Sequence, residues 1–352
     1  MTVHKPILSI AAALLAVASF AQMQRIVLQG GGTPQVFTSI NDALAAAQPN
    51  DKLYFSGGSF ASPAELVIGM PLHFVGAGIH PDSTEVTSTT TITTEVGYIR
   101  FTTGASGSTF TGIRFDPQGY LQYGTSEADD DPTGMVFQRC EFEPGHLLQA
   151  APAGATSSTL YDECIFRSFI TGQAGTTATF TRCIFEGTNN ASIGNFDTGG
   201  LLVSHCVFLD GVAISGCLDA IAENCVFTNA TYPIYQCNNV MVTNCLVTSN
   251  ELTGNSSGEI SVNNQFGVPA ANIFVNETDN NYQFTDDLHL APGSTGIGGA
   301  DDGTDIGIYG SSSPCKPGNV PYNPHYRAAS IATTTNPNGE LPVNIRVAAQ
   351  TN

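Results

Sequence analysis

A short segment recurs along the middle of this chain, and its recurrence constrains the fold more than any local propensity does. Five copies end in Cys-x-Phe: Cys140-Glu-Phe142, Cys164-Ile-Phe166, Cys183-Ile-Phe185, Cys206-Val-Phe208 and Cys225-Val-Phe227. A sixth ends in Cys245-Leu-Val247, and an earlier copy without cysteine is Ile113-Arg-Phe115. The steps between copies are 27, 24, 19, 23, 19 and 20 residues. Self-similarity at that length means one supersecondary unit stacked on the next, each burying a face that its neighbour supplies.

The pattern inside each copy fixes the geometry of the unit. Three residues before the cysteine position stand Phe110, Phe137, Tyr161, Phe180, Val203, Ala222 and Val242; two residues after it stand Phe115, Phe142, Phe166, Phe185, Phe208, Phe227 and Val247. Side chains of a strand alternate faces with period two, so the cysteine and the residue two later share a face. The residue three earlier joins them only if the chain bends just before the cysteine. Asn224 and Asn244 occupy that bend in the last copies, and asparagine tolerates tight turns. Each coil therefore reads as strand, bend, strand, variable loop and a third short strand, with candidates at Leu147-Leu148, Phe169-Ile170, Val212 to Ile214 and Tyr232 to Tyr235. Propeller blades are longer, and the 3.6-residue periodicity of helical repeats is missing. The expected fold is all-β: a right-handed parallel β-helix.

Three segments follow. Residues 1–21 read as a secretory signal peptide, with Lys5 ahead of an apolar run from Ile7 to Phe20 and small residues Ser19 and Ala21 before the cleavage point. Residues 22–315 form the β-helix. It opens on a capping helix after Ser39, Ile40 to Ala47, which blunts the exposed edge of the first coil. Residues 316–352 comprise a Pro-rich connector and a hairpin: Tyr326 to Thr333, a turn at Asn336 to Gly339, and a strand alternating Leu341, Val343, Ile345 and Val347 with polar residues.

The net charge is −19, or −20 once the segment carrying Lys5 is removed. That acidity argues against a nucleic-acid partner, and no later apolar run is long enough for a membrane span. The expected location is secreted, extracellular or at the cell surface. Nine cysteines in such a chain invite a disulfide reading. Six of them lie on the inward ladder, and Cys217 and Cys237 form a second, shorter one. There a thiol serves as a small core hydrophobe, and no zinc-ligand spacing occurs.

The stretch Ala45 to Phe55, then Gly57-Gly-Ser-Phe60 and Leu72-His-Phe-Val-Gly-Ala-Gly78, resembles the N-terminal part of secreted bacterial pectin-lyase-like β-helix proteins. Asp287-Leu-His-Leu290, Gly293-Ser294 and Thr304 to Gly310 are similar to the closing coil of such proteins, which implies turn formation for Asp301 to Asp305 and a structural role for His289. The resemblance is specific for architecture and not for activity, since this fold hosts lyases, hydrolases, adhesins and proteins of no known function.

Chemistry is thin on the sequence. Arg139 and Arg182 at the bend, and Arg114 between the two inward positions, read as outward surface ladders rather than as the base of a lyase. Gly145-His146 is only a fragment of a polygalacturonase signature. From Asn224 to Asn250 there is no Asp, Glu, Lys, Arg or His, so no general acid or base arises there. The longest inter-coil loop, 116–134, carries Glu127, Asp129, Asp130 and Asp131 as candidate Ca²⁺ ligands, and Tyr120 and Tyr123 as candidate sugar-stacking rings. The expected function is a secreted, non-catalytic scaffold or surface protein that binds glycans, with an extracellular polysaccharide as partner. The alternative is a polysaccharide lyase or glycoside hydrolase with its site around loop 116–134.

Overall fold

The computed structural model describes residues 24–81, 89–148, 155–186, 191–228, 231–316, 325–331 and 334–348. The expected signal peptide and most of the Pro-rich connector, residues 317–324, lie outside the described residues.

The chain winds into a parallel β-solenoid whose coils contribute one strand to each of three sheets. The first sheet has twelve strands, the second and third nine each. Within a typical coil Ser157–Asp162 belongs to the first sheet, Ile165–Phe166 to the second and Ile170–Thr171 to the third, and each pairs in parallel with its counterpart one coil on. The third strands at His146–Leu147, Ile170–Thr171, Ile214–Ser215 and Ile234–Tyr235 overlap the segments expected for them.

The bend between the first two sheets falls where the sequence demanded it. Arg139, Glu163, Arg182, His205, Asn224 and Asn244 all have φ between 52° and 56°. Only this left-handed conformation turns the chain enough to bring the aromatic residue before the bend and the Cys-x-Phe after it into one interior. Inside, two ring ladders run along the axis. Phe142, Phe166, Phe185 and Phe208 stack at 4.8, 4.8 and 4.4 Å between centroids, and Phe110, Phe137, Tyr161 and Phe180 at 4.8, 5.3 and 4.8 Å. Like residues meet because coils repeat at about 4.8 Å, the spacing at which flat rings stack.

The eight cysteines of the two ladders are buried, unbridged thiols. Cys206, Cys225 and Cys245 each accept a backbone N–H from the cysteine one coil earlier, at 3.3–3.4 Å. Asn264 Oδ1 ends this ladder by accepting from Cys245 N, and Ser256 Oγ ends the shorter one by accepting from Cys237 N.

The N-terminal end is closed as expected. Helix α1 (Ile40–Ala46), N-capped by Ser39, buries Ile40 and Ala43 over the first strands. Strands His325–Ile331 and Val343–Ala348 pair as the antiparallel hairpin.

The far end differs from the expectation of a closing coil. Residues 268–315 add no coil but fold back over the outside of the second sheet. Phe274–Asn276 pairs antiparallel with Asp287–Leu290, apart from the three solenoid sheets. The backbone N–H of Gly307 then bonds to Asn224 O, Arg182 reaches Ser311 Oγ, and Cys315 Sγ lies 3.8 Å from a Glu163 oxygen, so the strap climbs coil by coil. The cause is the middle residue of Cys-x-Phe, which points outward. Ile165, Ile184, Val207, Val226 and Leu246 form an apolar stripe that would otherwise face water, and Ile273, Leu288, Ile306 and Ile308 bury it. Fully covering a Val, Leu or Ile side chain contributes about 1.5–3 kcal/mol, so this stripe dictates the strap.

Candidate functional site

Among the described residues, no segment covers the outer face of the third sheet as the strap covers the second. Its strands alternate with inward Ile170, Ile193 and Ile214, which leaves Thr171, Gly194 and Ser215 in register on the outside. The residue one earlier forms a second outer row. Tyr98 and Tyr120 lie 6.0 Å apart between ring centroids, and Tyr120 and Phe169 5.8 Å. Gly145 makes room for Phe169, since a Cβ there would stand 2.5 Å from the Phe169 ring.

This row of rings leads into a cleft of about 230 Å³ lined by Phe169, Thr171, Ala191, Gly194, Asn195 and Ser215. Gly194 leaves the floor bare: the nearest atom to a Cβ there would be Ser215 O at 3.5 Å. Asn195 holds its amide at the rim from a left-handed backbone, φ 61°. Tyr235 follows Ser215 on the ladder and accepts a hydrogen bond from Asn255 Nδ2 at 2.8 Å. The lining offers one aromatic face, hydroxyls and an amide, and no titratable group.

Tyr120 is 40% exposed and belongs to this ring row. Tyr123 is not available to a ligand, which corrects the expectation of an exposed ring. It is fully buried, and its hydroxyl bonds to Thr159 Oγ1. The strand Leu121–Tyr123 alternates inward Leu121, outward Gln122, inward Tyr123, a parity already visible in the sequence.

The four acidic residues do not converge. Asp129 accepts from the backbone of Thr125 and Ser126, both at 2.8 Å, and from Thr125 Oγ1 at 2.7 Å. Slight desolvation opposes these bonds, but they win and hold the carboxyl below its ordinary value. Asp130 is buried, Asp131 accepts from Thr103 Oγ1, and Glu127 stands exposed. Among the described residues no group of three or more His, Cys, Asp or Glu is placed to hold a metal. Asp129 and Asp131 are occupied in shaping the loop, so this set does not fit a Ca²⁺ cage.

Nor do the arginines lie open as surface ladders. Arg139 is fully buried under the strap, with Nε 2.8 Å from Glu163, and Arg182 pairs with Asp162. Arg114 pairs with Glu143 at 2.9 Å. Arg167 binds Glu141 at 2.8 Å, Glu186 at 2.6 Å and the carbonyl of Tyr282 at 2.7 Å, which pins the strap to the solenoid. Each of these guanidiniums is engaged, and none stands as a base over a groove. His146 lies inside the barrel among Phe101, Tyr123, Phe137 and Phe142, bonded through Nδ1 to Tyr161 OH at 2.8 Å. Burial pushes its pKa down to about 3, so it is neutral and structural. His289 stacks on Tyr309 at 3.7 Å and contacts Asp287 at 2.6 Å, a role in strap closure.

The architecture thus defines a parallel β-solenoid with one strapped face and one open, aromatic-lined face. No family model, curated protein or solved structure matches the chain.

Proposed function

We propose that this protein is a secreted, non-catalytic β-helix scaffold that binds an extracellular glycan on the outer face of its third sheet. The observation that carries this reading is the row Tyr98, Tyr120 and Phe169 running into a cleft with hydroxyls, an amide and no titratable group. Aromatic faces stack on the C–H faces of sugar rings, and sparse fixed polar groups orient them. A cleft without an acid or base holds a polysaccharide and does not cleave it. The pectin-lyase-like kinship is part of the same reading. It is supported by the N-terminal motifs and by the right-handed course that about 98% of parallel crossover connections take. Export rests on the leader-like residues 1–21.

A polysaccharide panel read for both retention and product release, with and without Ca²⁺, tests the proposal. Retention without products, reduced about tenfold by Tyr120→Ala or Phe169→Ala, is the expected outcome. Product release that survives in those variants would replace it with the enzyme reading.

A further inference from the structure

We infer that the ligand of this face is an extended chain of neutral, equatorially hydroxylated hexopyranoses, lying along the solenoid axis. The inference rests on the glycan-binding reading and adds the charge, the shape and the direction of the polymer.

Charge comes first. The six residues lining the cleft are all uncharged. The outward ladder of the third sheet runs Val67, Arg100, Gln122, Leu147, Thr171, Gly194, Ser215, Tyr235 and Gly254, with Arg100 as its single charged member. That guanidinium is committed: it pairs with Glu65 at 3.1 Å, donates to Gly124 O at 3.1 Å and covers the Tyr98 ring at 4.4 Å. The coil from Asn224 to Asn250 supplies no charge of either sign, and the chain as a whole carries −19. A uronate or sulfated polymer would meet general repulsion and then lose hydration at carboxylates or sulfates that nothing here neutralises.

Shape and direction follow from the register. Thr171, Gly194 and Ser215 are spaced by the coil repeat of about 4.8 Å, and Tyr235 closes a run of about 14 Å. An extended pyranose chain advances by a similar length per sugar, so successive rings meet equivalent ladder positions along the axis. Equatorial hydroxyls leave both ring faces covered by C–H, which suits the exposed Tyr120 ring and the half-buried Phe169 at the cleft wall. The bare floor at Gly194 admits a flat ribbon where any larger side chain would lift it.

Titration of the full-length protein with cellobiose, cellotetraose and cellohexaose, beside polygalacturonate and alginate, separates the outcomes. Affinity is expected to rise from the disaccharide to the tetrasaccharide and then level, unchanged between about 20 and 300 mM salt. Gly194→Leu, whose Cβ meets nothing closer than 3.5 Å, is expected to weaken hexaose binding about tenfold with the urea midpoint unchanged. Binding confined to the uronate polymers, and lost with added salt, would overturn the neutral-ligand inference while leaving glycan binding in place. Hexaose binding that Gly194→Leu leaves unchanged would overturn the placement in this cleft. Binding to no polysaccharide in the Proposed function panel would remove both readings together.

Discussion

The second and third sheets are made by the same coils, with nine strands each, yet their outer faces have opposite fates. On the second, the outward residue is Ile165, Ile184, Val207, Val226 and Leu246 in turn, and the chain spends residues 268–315 covering it. On the third, the corresponding residue is Thr171, Gly194 and Ser215, and no described segment covers the face. A solenoid gives each coil three outer faces but one interior, so outward ladders decide which faces become core and which stay at the surface. An apolar ladder recruits its own chain. A small, polar ladder flanked by rings leaves a cleft with shape and no charged lining.

Charge placed on each ladder is the sharpest way to break the comparison. Val207→Asp puts a carboxylate beneath the strap and is expected to cost about 4 kcal/mol in chemical denaturation, since a buried unpaired charge is among the costliest substitutions. Ser215→Asp on the open face should stay within about 0.5 kcal/mol. Equal losses at the two sites would show that the faces do not differ as described.

A second effect separates interior from exterior beneath the open face. The pKa of His146 lies near 3 in the fold, against an ordinary value near 6.5 when unfolded. Between those values the unfolded chain takes up a proton that the folded chain refuses, so stability falls as pH drops below about 6.5. From pH 7 to pH 4 the loss attributable to this ring is about 3 kcal/mol. His146→Phe removes that part of the slope, while at neutral pH it costs about 1 kcal/mol through the lost bond to the Tyr161 hydroxyl, which keeps Tyr123 as a partner. Urea midpoints at several pH values read both quantities, and an undiminished acid slope in the variant would contradict this account.

The smallest effect lies on the strap. Asp287 loses a little to desolvation, but the hydrogen bonds from His289 outweigh it and hold the carboxyl below its ordinary value. Its stabilisation is therefore present above the carboxylate range and lost as pH falls through it. Asp287→Asn should slightly lower the melting temperature at pH 7 and leave it unchanged at pH 3.

Much of the fold was legible because it is periodic. The phase break before each cysteine forced a bend, and the left-handed φ of Arg139 through Asn244 is that bend. The third strands and the helix after Ser39 were readable from local signals for the same reason. The strap was less legible, although its signal was present: a middle residue that is Ile, Val or Leu in five copies has to be buried by something. Resemblance to a closing coil hid that requirement. Tyr123 looks exposed from its place in a long loop, but the parity of Leu121, Gln122 and Tyr123 turns it inward. The cleft could not be read directly, because Phe169, Gly194 and Ser215 lie far apart in sequence and meet only through the coil register.

The sequence by itself determined that aromatic and cysteine ladders face one interior, since a repeat with a fixed phase stacks like on like. It also determined that the stretch from Asn224 to Asn250, little more than one coil, carries no charge to do chemistry with. Only the tertiary structure decided which outer face the chain would cover with its own strap and which no described segment covers. Variable loops set how residues on different coils meet, and burial depends on what arrives from distant segments rather than on any residue's own pattern.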